Sequence, residues 1–192
     1  MCQSGRWKTT VTLISAIAVY PVGIVKSVPD HSDIEARVIA SLESIGVPYE
    51  VVQIDPDFAD TAQFCEKYGF PPEQSANTII VATKKEPRQY VACVVRATAR
   101  LDVNHRVKQL MGNARVSFAP SEETAVLTGM MIGGVTALGL PEGIPVMIDP
   151  GLMGCDYIIL GGGSRSTKIK VSPKVLTGIP GASVIEGLTL AD

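Results

Sequence analysis

The strongest constraint on the fold is a pair of β-rich runs, residues 78–83 and 89–97, with only five residues between them. A connection this short joins neighbouring antiparallel strands, so the two runs predict a hairpin at the centre of a sheet. Single helical patterns and further strands surround the hairpin. This mixture indicates an α/β fold with a mixed, mostly antiparallel sheet and surrounding helices, and not a doubly wound parallel sheet.

Hydrophobic periodicity and stop signals predict the other elements. A helix over residues 32–45 begins with a capping box of Ser32 and Glu35 and ends at Gly46. Further helices are predicted for residues 59–68, 102–111 and 121–127, the last two capped by Asp102 and Ser121, and strands for residues 47–54, 114–118, 145–149, 157–160 and 167–171. Because no internal repeat or linker occurs, residues 29–192 are expected to form one domain, preceded by an extension or arm of residues 1–28.

The composition describes a globular protein without general affinity for nucleic acid. Of the 192 residues 46% are hydrophobic, and 17 Lys plus Arg nearly balance 19 Asp plus Glu, giving a net charge of −2. This balance excludes a protein that coats nucleic acid through charge alone, so any RNA contact must be local and DNA is not an expected partner. Four scattered cysteines and two distant histidines form no metal or disulfide pattern, which is typical of a reducing cytoplasm.

An apolar run of residues 11–25 follows Arg6 and Lys8 and superficially resembles a signal peptide. Polar residues and Pro21 interrupt the run, it is too short to span a bilayer, and it lacks a convincing small-residue cleavage site. We therefore expect a strand-like arm or an upstream extension of the domain, a cytoplasmic protein and no membrane partner.

Two glycine-rich segments are the main candidates for a functional site. Five glycines fall within fifteen residues, Gly129, Gly133, Gly134, Gly139 and Gly143, and a second turn consists of Gly161, Gly162, Gly163, Ser164 and Arg165. Free backbone N–H groups in such segments can hold an anion or a developing oxyanion, so both segments are expected to line a pocket. The alternative is a tight packing corner between helix and strand. The standard phosphate-binding patterns, G-x-G-x-x-G and a glycine loop ending in Gly-Lys-Ser or Gly-Lys-Thr, are absent.

Residues 157–185 carry four basic side chains and no acidic one: Arg165, Lys168, Lys170 and Lys174. This local charge of +4 can meet the phosphates of an RNA end, or else Lys168 and Lys170 form the solvated face of an edge strand. No arrangement typical of covalent hydrolases is present: G-x-S-x-G is absent, His105 has the pattern of an exposed helix residue, and Cys93 lies in an apolar strand. A hydrolase of this sequence would position water and substrate through backbone groups.

Residues 74–178 resemble the YbaK/ProX family of aminoacyl-tRNA deacylases, which also occurs as the editing domain inserted in bacterial prolyl-tRNA synthetases. Six segments match in order: Ser75-Ala-Asn-Thr-Ile-Ile-Val81, Arg100-Leu-Asp102, Phe118-Ala-Pro with Thr128-Gly129, Gly133-Gly-Val-Thr-Ala-Leu-Gly139, Pro145 to Asp149, and Gly162-Gly-Ser-Arg165. Upstream, residues 32–54 look like the family's opening helix and strand.

The resemblance implies a specialised mixed α/β fold and hydrolysis of the ester that joins a wrong, small amino acid to tRNA. In that chemistry a water attacks the ester carbonyl, amides near the glycine loop stabilise the charge, and no metal or cofactor is required. The implied partners are the 3′ end of an aminoacyl-tRNA and an aminoacyl-tRNA synthetase. Carried over by position, the implied catalytic residues are Asn77, Lys168, Gly133 and Gly134, and the implied substrate-binding residues are Thr136, Gly139, Asp149, Gly162, Gly163, Ser164 and Arg165.

Two departures from the family concern its charged residues. Asn77 stands where the better-known members carry a functional lysine, and Lys168 stands where many carry aspartate. An asparagine can hydrogen-bond a substrate but supplies no positive charge. We expect Lys168 to restore the missing cation if its side chain faces the pocket. The loop also changes from the family's Gly-Gly-x-Ser-Pro to Gly-Gly-Val-Thr-Ala, which keeps a hydroxyl at Thr136 but loses the rigid proline.

Three functions remain open from the sequence. The first is a freestanding deacylase, favoured by the retained glycine segments. The second is a catalytically weak module that binds tRNA ends or a synthetase, favoured by Asn77. The third is a hydrolase of small-molecule esters, since the acidic chain lacks a broad basic surface.

Overall fold

A computed structural model of the protein describes residues 31–190. The α-helices of this part are α1 His31–Ile45, α2 Thr61–Tyr68, α3 Lys108–Leu110, α4 Ser121–Thr128 and α5 Lys174–Gly178, and a π-helical turn, Val103–Val107, leads directly into α3. Its strands are β1 Tyr49–Gln53, β2 Ala76–Thr83, β3 Tyr90–Arg96, β4 Val116–Phe118, β5 Val146–Ile148, β6 Ile158–Gly161, β7 Thr167–Val171 and β8 Ala182–Val184. The predicted arm of residues 1–28, with its apolar run, lies outside the described residues.

The strands form two sheets. The larger has the order β4-β2-β3-β5-β8, in which β2 pairs antiparallel with β3 and β4, whereas β5 pairs parallel with β3 and β8. The smaller is antiparallel with the order β1-β7-β6. The predicted hairpin is confirmed, and so is the mixed, mostly antiparallel α/β fold. The division into two sheets, together with α5 and β8, was not predicted.

The main core lies between the sheets and α1. The predicted apolar stripe of α1 is confirmed, because Ile34, Val38 and Leu42 are buried and pack with residues of both sheets. A smaller cluster covers the opposite face of the hairpin around Val91 and Val107. None of the helices in residues 31–190 combines the length and apolarity needed to cross a membrane.

The Glu35 carboxylate of α1 bonds to residues distant in the chain. The helix begins at His31, one residue before Ser32, and the Glu35 carboxylate accepts hydrogen bonds from the hydroxyls of Ser164 and Thr167. Glu35 therefore ties α1 to the second glycine turn. The predicted cap at Ser121 is wrong, because α4 begins at Ser121 itself and has no side-chain cap.

The strand that carries the basic residues is central and not an edge strand. Because β7 lies between β1 and β6, Lys168 is only 4% exposed. Lys170 pairs with Glu50 at 3.4 Å and lies over the ring of Tyr157. The interpretation of these lysines as a solvated edge is therefore wrong.

The two glycine segments touch backbone to backbone. The Gly163 N–H donates to the Gly134 carbonyl at 2.8 Å, and the Met131 N–H donates to the Gly163 carbonyl at 3.0 Å. A Cβ on Gly134 would lie 1.9 Å from the Ser164 carbonyl oxygen, and a Cβ on Gly161 would lie 2.3 Å from the Gly134 carbonyl oxygen. The packing-corner alternative is correct for these positions, because only glycine permits the approach.

We expect Gly134→Ala to destabilise the fold by about 3 kcal/mol, because its methyl group meets backbone that cannot move aside. Gly154→Ala is the matched control, since a Cβ there meets nothing within 4 Å. The control should change stability by less than about 0.5 kcal/mol. Denaturant unfolding of both variants measures the difference, and equal stabilities would show that the glycine contact has room for a side chain.

Candidate functional site

A cavity of about 290 Å³ lies between the two sheets, along residues 76–80 of β2. The smaller sheet contributes Lys168 and Gly161, and the first glycine segment contributes Gly133 and Val135. The remaining lining residues come from the start of α2, from β4 and its following residue, from α4 and from the glycine segment: Asp60, Thr61, Phe118, Ala119, Thr124 and Ile132. The cavity thus collects residues that are distant in sequence.

Lys168 is a buried cation in this cavity. Its Nζ donates hydrogen bonds to the carbonyl oxygens of Ala59 at 2.6 Å and Gly133 at 2.8 Å, and it lies 5.4 Å from the centre of the Phe64 ring. An ammonium has three N–H donors, so one remains for a ligand. Burial lowers the pKa of Lys168 from 10.5 to about 8, and the Asp60 carboxylate opposes that shift.

Gly133 lies at a sharp turn of the first glycine segment. Its φ of +91° is a left-handed conformation that favours glycine, and the Gly134 N–H closes the turn on the Met131 carbonyl at 2.8 Å. The Gly134 amide is therefore already used. Within residues 31–190 the amides of Gly133 and Val135 donate no hydrogen bond to protein. Together with the Ile132 amide, which also lines the cavity and donates no such bond, they remain for an anionic oxygen.

Asn77 faces the same cavity from β2 and is held by α2. The Thr61 hydroxyl donates to the Asn77 Oδ1 at 2.7 Å. This contact uses the carbonyl oxygen of the amide and directs its NH₂ group away from Thr61. In the described part of the chain that NH₂ group has no acceptor, so two donors are left for a ligand. Asn77 and Lys168 thus approach one cavity from different sheets.

Arg165 fixes the segments around the cavity. Its Nε donates to the Pro56 carbonyl at 3.1 Å, and its Nη1 donates to the Ile132 carbonyl at 2.9 Å and lies 3.5 Å from Asp60 Oδ1. These contacts join the approach to α2 with the first glycine segment. Arg165 is therefore engaged within the protein.

The other predicted substrate-binding residues lie outside the cavity. Gly139 lines a different cavity beside Arg37, Thr136 is fully buried, and Asp149 accepts the Gly151 N–H at the end of β5. The rest of the second turn packs inward: a Cβ on Gly162 would meet Thr167, a Cβ on Gly163 would meet Ile34, and Ser164 bonds to Glu35. The structure therefore brings together Asn77, Lys168, Gly133 and Gly161 but not this larger set.

Sequence reasoning assigned no role to Asp60, Thr61, Thr124, Phe118 or Ile132. The Phe118-Ala-Pro segment matched the family pattern but gave no indication of which side of the strand faces a cavity. Asp60 and Thr61 sit at the first turn of α2, where polar residues are ordinary for structural reasons. No spacing rule distinguishes such residues from helix caps.

Side chains of other chemical interest lie elsewhere. Cys93 is fully buried, as predicted, and burial raises the pKa of its thiol to about 12. The His105 side chain is 86% exposed, also as predicted. Among residues 31–190, no three His, Cys, Asp or Glu side chains form a group that could hold a metal ion.

The family of this chain follows from a match over most of its described residues. Residues 55–179, which include the whole cavity lining, match the aminoacyl-tRNA editing domain. The chain belongs to this family. The match begins just before Asp60 and extends beyond Lys168, so it covers Asn77 and Lys168.

Solved structures share the fold of the editing domain. A candidate trans-editing enzyme for prolyl-tRNA synthetase is 25% identical, with a TM-score of 0.70 over 82% of this chain and 98% of that chain. A hypothetical protein, APE2540, is 26% identical, with a TM-score of 0.69 over 77% of this chain and 96% of that one. A scaffold protein used for epitope grafting shares the fold at 24% identity and a TM-score of 0.71.

We expect Lys168 of the editing domain to lose its proton near pH 8. The unfolded chain keeps this proton up to about pH 10.5, so the free energy of unfolding should rise with pH between these values and fall as the pH is lowered through them. NMR titration of the lysine side chains, assigned with Lys168→Met, measures the midpoint, and unfolding of both proteins measures the slope. A midpoint near 10.5 and identical slopes would contradict the expectation.

Proposed function

We propose that this editing domain is a deacylase that hydrolyses the ester between a small amino acid and the 3′ end of tRNA. The supporting observation is the buried ammonium of Lys168 in a cavity also lined by Asn77 and Gly133. Ester hydrolysis passes through a tetrahedral intermediate whose oxygen is negatively charged. A cation and free amides directed at that oxygen stabilise the transition state more than the neutral ester.

On this proposal Lys168 supplies the cation that, by the resemblance, the better-known members carry at position 77. The cation comes from β7 instead of β2 and serves the same cavity. Its free N–H donates to the ester carbonyl oxygen, and the amides of Gly133 and Val135 complete the set of donors. The two protein carbonyls that hold Nζ keep this donor in place before the substrate binds.

The proposed reaction needs only water as a second reactant. The water oxygen bonds to the ester carbon, and collapse of the tetrahedral intermediate breaks the bond between that carbon and the ribose oxygen. The ribose oxygen takes up a proton released by the water, so the products are the free amino acid and tRNA with an intact terminal hydroxyl. The NH₂ group of Asn77 is placed to hydrogen-bond the ribose or the ester.

The cavity also suits the rest of a small aminoacyl group. An aminoacyl ester carries a free α-amino group, and Asp60 is the acidic residue in the cavity lining. The Asp60 carboxylate pairs with the protonated α-amino group of the substrate. The volume of about 290 Å³ is at the small end for ligand cavities, which favours small side chains over large ones.

A synthetase partner is proposed by analogy with the trans-editing neighbour and has no contact surface assigned.

A panel of mischarged tRNAs tests the function. The panel holds tRNAPro and one unrelated tRNA, each charged with alanine, serine or cysteine, and with leucine or phenylalanine as large controls. We expect release of small amino acids above the spontaneous rate and no release of large ones. Lys168→Met should lower kcat by about 100-fold or more, because it removes a cationic donor to the transition state.

Lys170→Met is the matched control on the same strand. Lys170 contacts Glu50 and Tyr157, away from the cavity lining, so the change should leave kcat within about twofold. Release from no tRNA would exclude the deacylase, and tRNA binding without release would favour the binding module instead. Release from simple amino acid esters as fast as from tRNA would favour the small-molecule hydrolase.

We expect Thr61 to act through Asn77 as a positioning residue. Thr61→Val keeps the shape but removes the hydroxyl that holds the amide, so kcat should fall about tenfold, whereas Thr61→Ser should restore most of the rate. If the two residues act as a unit, the double variant with Asn77→Ala should be no slower than Asn77→Ala alone. Additive losses in this cycle would show that Thr61 acts independently of Asn77.

A further inference from the structure

The cavity follows a free edge of β2. Strand β3 pairs with β2 along residues 76–82, whereas β4 pairs with residues 81–83 and the Ala119 N–H extends that side to the Ile80 carbonyl. At the other end Ser75 bridges to Ile159 of β6, so among residues 31–190 no strand pairs with the second side of residues 76–79. The Thr83 N–H bonds to Gln89 and the Ala97 N–H bonds to Ser75. Because the direction of backbone groups alternates along an antiparallel ladder, the N–H and C=O of Thr78 point away from β3, towards the edge that lines the cavity.

The two ends of this edge differ in chemistry. Asn77, Lys168 and Asp60 mark the polar end. At the other end Phe118, on β4, lies opposite Val81 of β2. The strand rises through four residue steps from Asn77 to Val81, about 13 Å at the usual rise per residue.

Phe118 is 56% exposed although it lines the cavity, and Ile132 in the same lining is 44% exposed. Both side chains are therefore accessible to a ligand in the cavity, and aromatic and apolar side chains are the usual lining of ligand sites. Thr124, from α4, adds a hydroxyl that makes no hydrogen bond within residues 31–190.

We propose that Phe118 binds the 3′-terminal adenine of the tRNA by stacking, with the ester of the same nucleoside at Lys168. This inference rests on the proposed function and adds the position of the terminal base. A base is a flat, largely apolar ring with a polar edge, and it stacks on exposed aromatic side chains. The free backbone groups of Thr78 and the Thr124 hydroxyl supply hydrogen-bond partners for the nucleoside between the two ends.

The direction of the nucleoside follows from charge. The ester must lie within reach of the buried cation, so the base has to extend away from Lys168. The strand edge leads from there to Phe118 over a distance on the order of one aminoacylated nucleoside. Ile132 is the second exposed apolar side chain of the lining and provides a further apolar surface for the ring.

Steady-state kinetics of Phe118 variants on the best mischarged tRNA test the inference. Phe118→Ala should raise KM about tenfold and leave kcat within about twofold, because stacking holds the substrate equally before and during reaction. Phe118→Trp should retain the wild-type KM, and Phe118→Leu should fall between the two. Val126→Ala is the control, since Val126 is 79% exposed and lies outside the cavity lining.

A binding measurement makes the inference independent of catalysis. Uncharged RNA hairpins ending in CCA and in CCU are titrated into wild type, Phe118→Ala and Val126→Ala. We expect tighter binding of the CCA end by wild type and by Val126→Ala, and equal, weaker binding of both ends by Phe118→Ala. Binding that discriminates the ends in the absence of any deacylation supports the adenine site and overturns the deacylase.

Other results overturn the adenine site. Deacylation with an unchanged KM in Phe118→Ala leaves the proposed function standing and removes this inference. Equal binding of the two RNA ends by wild type does the same. If Phe118→Ala instead changes the oligomeric state on size-exclusion chromatography without changing KM, Phe118 serves contact with a second copy of the chain.

Discussion

The rest of the site depends on the backbone contact between Gly134 and the second glycine turn. The contact joins a loop that follows α4 to the turn between β6 and β7, and the turn in turn packs on Ile34 and is tied to Glu35 of α1. Two backbones can approach this closely only where no Cβ intervenes. The same approach brings the Gly133 carbonyl to the Nζ of Lys168. Packing and candidate chemistry therefore share one set of glycines.

Lys168 is stabilised in an unusual manner for a buried cation. Within residues 31–190 no carboxylate lies within salt-bridge distance of its Nζ, which instead contacts two carbonyl oxygens and the face of the Phe64 ring. These dipoles replace only part of the lost hydration, and the lowered pKa of about 8 is the consequence. A buried ammonium in this condition gains more from an arriving negative charge than a hydrated surface lysine does. Such a site is suited to a charge that appears only during a reaction.

The sequence predicts elements better than it predicts neighbours. The hairpin of β2 and β3 follows from two adjacent β-rich runs and a short loop, which are local properties. That β7 is flanked on both sides depends on β1 and β6, which lie far from each other in the chain, so the burial of Lys168 could not be read from alternating lysines. Glu35 shows the same limit: its spacing from Ser32 fits a capping box, but its partners come from residues 164 and 167.

Glycine spacing has a related ambiguity. It identifies where the backbone makes a close approach but not whether the neighbour is protein or ligand. For Gly134, Gly161, Gly162 and Gly163 the close neighbour is protein. Of these four, Gly161 also lines the cavity, as does Gly133. Asp60 and Thr61 could not be found by spacing, because their relation to Asn77 and Lys168 arises from the meeting of two sheets.

Positions 77 and 168, where the resemblance implies a departure from the better-known members, together carry one positive charge in this chain. A lysine at 77 with an aspartate at 168 makes a pair with no net charge, whereas asparagine with lysine leaves one positive charge. On the proposed mechanism that charge now comes from the centre of the smaller sheet, where its position is fixed by Ala59 and Gly133. The position on β2 keeps only hydrogen-bonding ability, and the short Asn77 side chain needs Thr61 to orient it. On the proposed mechanism, a cation held by backbone carbonyls and an amide held by a hydroxyl would hold the substrate at two points, which favours recognition of the shape of the aminoacyl group.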